Sequence, residues 1–188
     1  MQTTRTFIAV EIGSPAREIM LRLLKQLASD LQGVRWTQPD QLHLTLKFIG
    51  DIDNRDLPEI CDQMRAACVG IEAFSASLKG LGTFPRNKPP RVLWVGFDDG
   101  VETLKLINQR LESSLAGVGV PSEGRAYAPH LTLGRINRDA DQQLIAARMA
   151  RDSKTEFARF DVSEVLLVTS VRERNRMIYE TIDSVPLE

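Results

Sequence analysis

A mixed α+β fold is predicted, with two lobes built from duplicated strand–helix–strand–helix units whose antiparallel sheets line a central cleft. Three observations predict it. The order of elements runs twice along the chain. Ile8 precedes His43 by 35 residues, and Val95 precedes His130 by the same interval. Finally, the tetrapeptide His-Leu-Thr-Leu occurs at His43–Leu46 and again at His130–Leu133, and these are the chain's only two histidines.

The first unit opens with a strand over Thr6–Ile12, then Ser14 as helix N-cap and Pro15 at the first helical position. Met20, Leu23, Leu24, Leu27 and Leu31 recur at helical spacing, and Gly33 can end that helix. Leu42–Phe48 alternates as a second strand. Asp53 opens another helix, with Leu57, Ile60, Cys61, Met64 and Cys68 on one face and Gly70 at its end. The second unit repeats this with a strand over Val92–Phe97 and a helical stripe of Val101, Leu104, Ile107, Leu111 and Leu115. A Gly/Pro loop over Gly117–Gly124, a strand over Pro129–Ile136 and a weaker helix over Asp139–Arg151 follow. Extra strands are read at Phe74–Phe84, assigned to the first half, and at Val165–Val171 and Met177–Ile182, which flank a hairpin turn at Glu173–Asn175. The pseudo-repeats span approximately residues 4–90 and 91–188 of a single bilobal domain. The stretch Pro85-Arg86-Asn87-Lys88-Pro89-Pro90 reads as the lobe connector or an exposed loop.

With 43% hydrophobic residues, the 188-residue chain can bury a substantial core. A net charge of −1 argues against a generic nucleic-acid coat but allows a local basic cleft for one phosphate. No apolar run approaches the roughly 20 residues of a membrane span, and Met1-Gln2-Thr3-Thr4-Arg5 leads into a strand without a signal-peptide pattern. A cytoplasmic protein without a membrane partner is expected. Cys61 and Cys68 lie about 10 Å apart along a helix axis, too far for a disulfide. They read as buried thiols, and no metal or other cofactor is expected.

On a strand, residues two apart share a face. His43 projects with Thr45, and His130 with Thr132, while the intervening leucines face the core. Histidine titrates near neutral pH, so two imidazoles can act as acid and base, and two threonine hydroxyls can donate to non-bridging phosphate oxygens. Metal-independent phosphodiester cleavage is a reaction that wants such pairs. By the same alternation, Arg135 falls on the face opposite His130, and Phe48 points away from His43 into the core.

The segments Arg5–Val10, Leu42–Gly50, Gly82–Pro85, Arg91–Gly96 and Pro129–Arg135, in that order, resemble the two-histidine (2H) phosphoesterase superfamily. The likeness is to its bacterial and archaeal RNA 2′,3′-cyclic phosphodiesterases, also called 2′-5′ RNA ligase-like proteins. It implies a bilobal fold and hydrolysis of a terminal 2′,3′-cyclic phosphate to a 2′-phosphomonoester. It further implies that His43 is the proton donor, His130 the proton acceptor, and Thr45 and Thr132 the phosphate ligands. Ligation through the same site, or a non-catalytic module binding RNA ends, are the alternatives. In relatives an arginine at the position of Arg135 can reach the phosphate; a rim ion pair is its other reading. Trp36, Phe84 and Tyr127 are candidates for stacking on a base or for packing. Arg86, with Lys88 and Arg91, is a candidate backbone-phosphate contact or a solvated loop. The expected partner is an RNA or oligonucleotide end, bound by a monomer.

Overall fold

A computed structural model describes residues 3–86, 88–174 and 176–188, with the backbone alone for Arg176. Met1 and Gln2 of the N-terminal reading, Asn87 of the proline-rich stretch and Asn175 of the expected hairpin turn lie outside the described residues.

The strands are β1 (Thr3–Glu11), β2 (Val34–Trp36), β3 (His43–Asp53), β4 (Phe74–Phe84), β5 (Val92–Phe97), β6 (His130–Ile136), β7 (Glu156–Val162), β8 (Glu164–Glu173) and β9 (Arg176–Pro186). The helices are α1 (Ser14–Asp30), α2 (Leu57–Cys68), α3 (Val101–Ala116) and α4 (Gln142–Arg151). Ser14 is already helical: Gly13 takes the cap position without a side-chain bond, and Pro15 sits in the first turn, where its missing N–H costs nothing. Asp53 caps a short 3-10 turn over Asn54–Asp56 that leads into α2. Cys61 and Cys68 are buried free thiols. Among the described residues, no helix is long and apolar enough to cross a membrane.

All strand pairs are antiparallel, and the sheet runs β7-β4-β5-β6-β3-β1-β8-β9, with β2 added to β6. β3 and β6 meet at one residue pair, Leu44 opposite Leu131. This junction divides the sheet into two wings. Sequence order assigned β4 to the first half, yet it pairs with β5 from Leu78↔Phe97 to Phe84↔Val92, in the wing that carries the second motif. β8 crosses the other way and pairs with β1. A strand from the opposite half of the chain thus covers the outer edge of β5 and of β1, so each wing mixes strands from both halves of the sequence.

One face of the sheet carries Ile8, Val10, Leu44, Leu46, Leu131 and Leu133, and all four helices pack their apolar stripes onto it as a single core. The other face is open, which is common for antiparallel sheets. Among the described residues, its buried apolar cluster is a small one of Phe7, Ala9, Leu166 and Val168, edged by Tyr179. Leu44 and Leu131 are both 0% exposed. Burying a leucine fully is worth about 1.5–3 kcal/mol, so the junction is anchored from the core side while its open face stays free for chemistry.

Candidate active site

The register Leu44↔Leu131 decides how the two motifs meet. In an antiparallel pair it sets His43 across from Thr132 and Thr45 across from His130. Because the leucines point into the core, all four polar side chains project from the open face. The two imidazoles lie diagonally across a local two-fold.

Both strands then break alternation at the same point. β1 pairs Ala9 with Thr45 and Ile8 with Lys47, so Leu46 is an extra residue. β5 pairs Trp94 with Thr132 and Leu93 with Gly134, so Leu133 is the extra one. Each is a β-bulge, and one inserted residue reverses the face of everything after it. Accordingly Leu46 and Lys47 are both buried in succession, as are Leu133 and Gly134. Two expectations are corrected. Phe48 is not core: it is 52% exposed on the open face, with its ring 6.1 Å from that of Phe7. Arg135 stands on the same face as His130 and Thr132, not opposite them, and Ile136 after it returns to the core.

The backbone behind the motifs is held by side chains from elsewhere. The Tyr127 hydroxyl donates to the Thr45 carbonyl at 2.9 Å, and Asn108 Nδ2 donates to the Leu46 carbonyl at 2.8 Å. On the other strand, the Thr37 hydroxyl donates to the Thr132 carbonyl at 3.0 Å and the Thr37 N–H to the Leu133 carbonyl at 2.9 Å. Lys47, 1% exposed, pairs with Glu112 at 2.8 Å and donates to the Pro121 carbonyl at 2.8 Å, pinning the Gly/Pro loop to α3. A buried carbonyl left without a donor is costly, so these contacts fix the bulges and the hydroxyls and imidazoles in front of them. Tyr127→Phe is expected to lower the melting temperature by about 2–4 °C and to reduce turnover. Thermal denaturation beside an activity assay checks this; wild-type values for both would mean the hydroxyl positions nothing.

His43 stacks on Phe7 with centroids 4.8 Å apart, and Tyr179 stands edge-on to it at 5.3 Å. Its Nε2 is 3.1 Å from Thr45 Oγ1. Burial pushes its pKa down to about 4, only partly offset by a hydrogen bond to the Gln41 backbone. His130 is walled by Phe84 at 5.1 Å and Trp94 at 6.5 Å, both edge-on. Its Nδ1 lies 2.8 Å from the Ala128 carbonyl. A carbonyl can only accept, so Nδ1 carries the hydrogen and the neutral ring has its lone pair on Nε2. Burial lowers this pKa too; the Ala128 bond opposes the shift, and the Arg125 charge adds to it. No carboxylate among the described residues offsets either shift.

Of the stacking candidates, Phe84 flanks His130. Tyr127 is half-buried and serves the Thr45 carbonyl instead. Trp36 packs on the core side over Gly134, where an added Cβ would come within 3.2 Å of its ring. Arg86 is exposed, beyond the end of β4, and no described contact joins it to either motif. Sequence reasoning missed Phe7, Trp94 and Tyr179. Gly82 signals Trp94: a Cβ there would meet the indole at 2.3 Å, so the ring lies flat across β4. Burial raises the Tyr179 phenol, the Arg135 and Arg5 charges oppose this, and Asp40 reinforces it. Arg135 therefore acts across the junction. Gln41 Nε2 donates to the Met177 carbonyl at 3.0 Å, tying the turn before His43 to the strand that carries Tyr179.

The LigT-like phosphoesterase family profile matches residues 10–94 and again 95–179. The chain belongs to that family. The RNA 2′,3′-cyclic phosphodiesterase of Methanothermobacter thermautotrophicus is 32% identical over 166 residues, covering 88% of this chain and 89% of that protein. The enzyme of that name from Archaeoglobus fulgidus is 31% identical over 176 residues, 94% of this chain and 96% of its own. Among solved structures, TT0787 of Thermus thermophilus superposes with a TM-score of 0.82 at 23% identity, covering 97% of each chain. E. coli LigT complexed with 3′-AMP gives 0.79 at 22%, covering 99% of each. The fold and the 2H resemblance read from the sequence both stand.

Proposed function

We propose that the protein hydrolyses 2′,3′-cyclic phosphate ends of RNA to 2′-phosphomonoesters, using two histidines and no metal. The observation that carries this reading is the antiparallel meeting of both His-x-Thr pairs on one open face. A reacting phosphorus seated over the Leu44–Leu131 pair has an imidazole on each side. His130 Nε2 takes a proton from the attacking water as the new P–O bond forms. The bond from phosphorus to O3′ breaks, and His43, as imidazolium, protonates O3′. Thr45 and Thr132 donate to the two non-bridging oxygens, and Arg135 faces the charge that builds there. Water supplies one proton and O3′ receives one; solvent exchange restores the starting state. The names of the relatives, at about 30% identity over most of the chain, support the same substrate class. All four motif side chains come from one chain, so we take a monomer as the working form.

His43 is neutral in the ligand-free site at pH 7, because its pKa is about 4. A bound phosphodiester supplies the negative charge that the site lacks and raises the pKa of both imidazoles. The acid is thus armed by the substrate. The test is incubation of an oligoribonucleotide ending in a 2′,3′-cyclic phosphate with excess EDTA, with the product phosphate located by NMR. A 2′-phosphate formed at the EDTA-free rate is expected. A strict metal requirement, or tight binding without turnover, would defeat the proposal.

A further inference from the structure

We infer that Arg35, paired across the sheet with Arg135, binds the internucleotide phosphate next to the cyclic end and makes the protein selective for oligonucleotides over mononucleotides. This rests on the function proposed above and extends its site by one phosphate.

The placement follows from register. β2 pairs Val34 with Ile136, Arg35 with Arg135 and Trp36 with Gly134. Val34 and Trp36 pack against the core, so Arg35 between them projects from the open face. The bulge at Leu133 brings Arg135 to that same face. Two guanidinium groups therefore stand directly opposed, both exposed, and among the described residues neither has a hydrogen bond or an ion pair. Like charges directly opposite in a sheet are destabilising. Elsewhere in this sheet, Arg5 sits across from Asp51 and Lys79 across from Glu156. An unrelieved cationic pair at this position fits an anion that arrives with the substrate.

Its position fits the next phosphate of a strand. Thr132 and Arg135 are paired with Trp94 and Val92, two residues apart on β5, or roughly 7 Å along the sheet. A cyclic phosphate held by Thr132 has Arg135 as its next neighbour on that face. Arg35, one strand further out, is set to take the following phosphate, which Arg135 alone cannot hold while facing the reaction centre. Phosphate contacts of this kind set register on the strand and carry no base preference, and Trp36 directly after Arg35 is turned away to the core.

The decisive experiment is a binding cycle that needs no turnover. The ligand is the dinucleotide ApA bearing a 2′-phosphate, compared with its analogue carrying a neutral methylphosphonate linkage. Each is titrated into wild type, Arg35→Gln and Arg35→Lys by calorimetry. Wild type should lose about tenfold in affinity on either the methylphosphonate change or Arg35→Gln, and the two changes together should cost no more than one. Arg35→Lys should recover part of the loss, and the salt slope should fall by about 0.7 in Arg35→Gln. Equal sensitivity of Arg35→Gln and wild type to the methylphosphonate would overturn the inference. Turnover of the corresponding cyclic phosphates is measured in parallel. If wild type cleaves none of them, the proposed function fails while the binding cycle still decides the role of Arg35.

Discussion

His130→Ala is expected to lower turnover of a 2′,3′-cyclic phosphate roughly 10²–10⁴-fold, the range for one positioned acid or base, with the fold intact. The lone pair on Nε2 is fixed by the Nδ1 bond to the Ala128 carbonyl, so no other nitrogen at this place can accept the water proton. Stability should change little, because the ring is half-buried at the open face and the core behind it is sealed by Leu131. His43→Ala should lose a comparable factor, since the leaving oxygen would then depart unprotonated. Residues that act as a unit are not additive. The double variant should therefore fall to a floor set by Thr45, Thr132 and Arg135 rather than to the product of the single losses. Single-turnover rates, with melting temperatures alongside, check this. A variant of either histidine that keeps near-wild-type turnover would remove that residue from its role.

The same two histidines show why much of the site was legible before the fold. Alternation within His-x-Thr spans only three residues, too short for a bulge to intervene, and the leucine between fixes the parity. Beyond the fourth residue the rule fails, and it fails identically at Phe48 and Arg135, because each strand carries its extra residue there. Lys47 held a clue: a lysine in the run Leu46-Lys47-Phe48 reads as a surface position, yet it is the buried anchor of the bulge, paired with Glu112. Phe7 falls within the strand expected over Thr6–Ile12, but its face could not be known without β8, whose Val168 lies opposite it. Tyr179 reaches His43 from far along the chain, and no local pattern reports such a contact. The exchange of β4 and β8 between the wings was hidden for the same reason. Antiparallel edges are satisfied by whichever strand arrives, and the sequence period does not say which. β7 was missed although Ala158, Phe160 and Val162 alternate cleanly; that signal was present.

The pH dependence should separate free from bound protein. In the ligand-free site the reactive form has His43 protonated, with a pKa of about 4, and His130 neutral, with a pKa below its ordinary 6.5. Both shifts are downward because burial disfavours the imidazolium. The bell in kcat/KM, which reports the free protein, should therefore be centred on the acid side of 6.5, and its alkaline limb should fall about tenfold per pH unit through neutrality. Bound phosphate works in the opposite direction. It stabilises both imidazolium forms, so both pKa values rise in the complex and the kcat profile should lie to the alkaline side of the kcat/KM profile. Histidine ring resonances titrated by NMR, with and without a 2′-nucleotide, would assign each limb to a residue, since two signals report the two motifs. A kcat/KM limb that stays flat to pH 8 would mean that the free site already holds His43 charged, and substrate-armed protonation would have to be abandoned. A separation between the two profiles that disappears in Thr45→Val would point to the phosphate seat as the source of the shift, because Thr45 Oγ1 is the hydroxyl beside the Nε2 that must carry the proton.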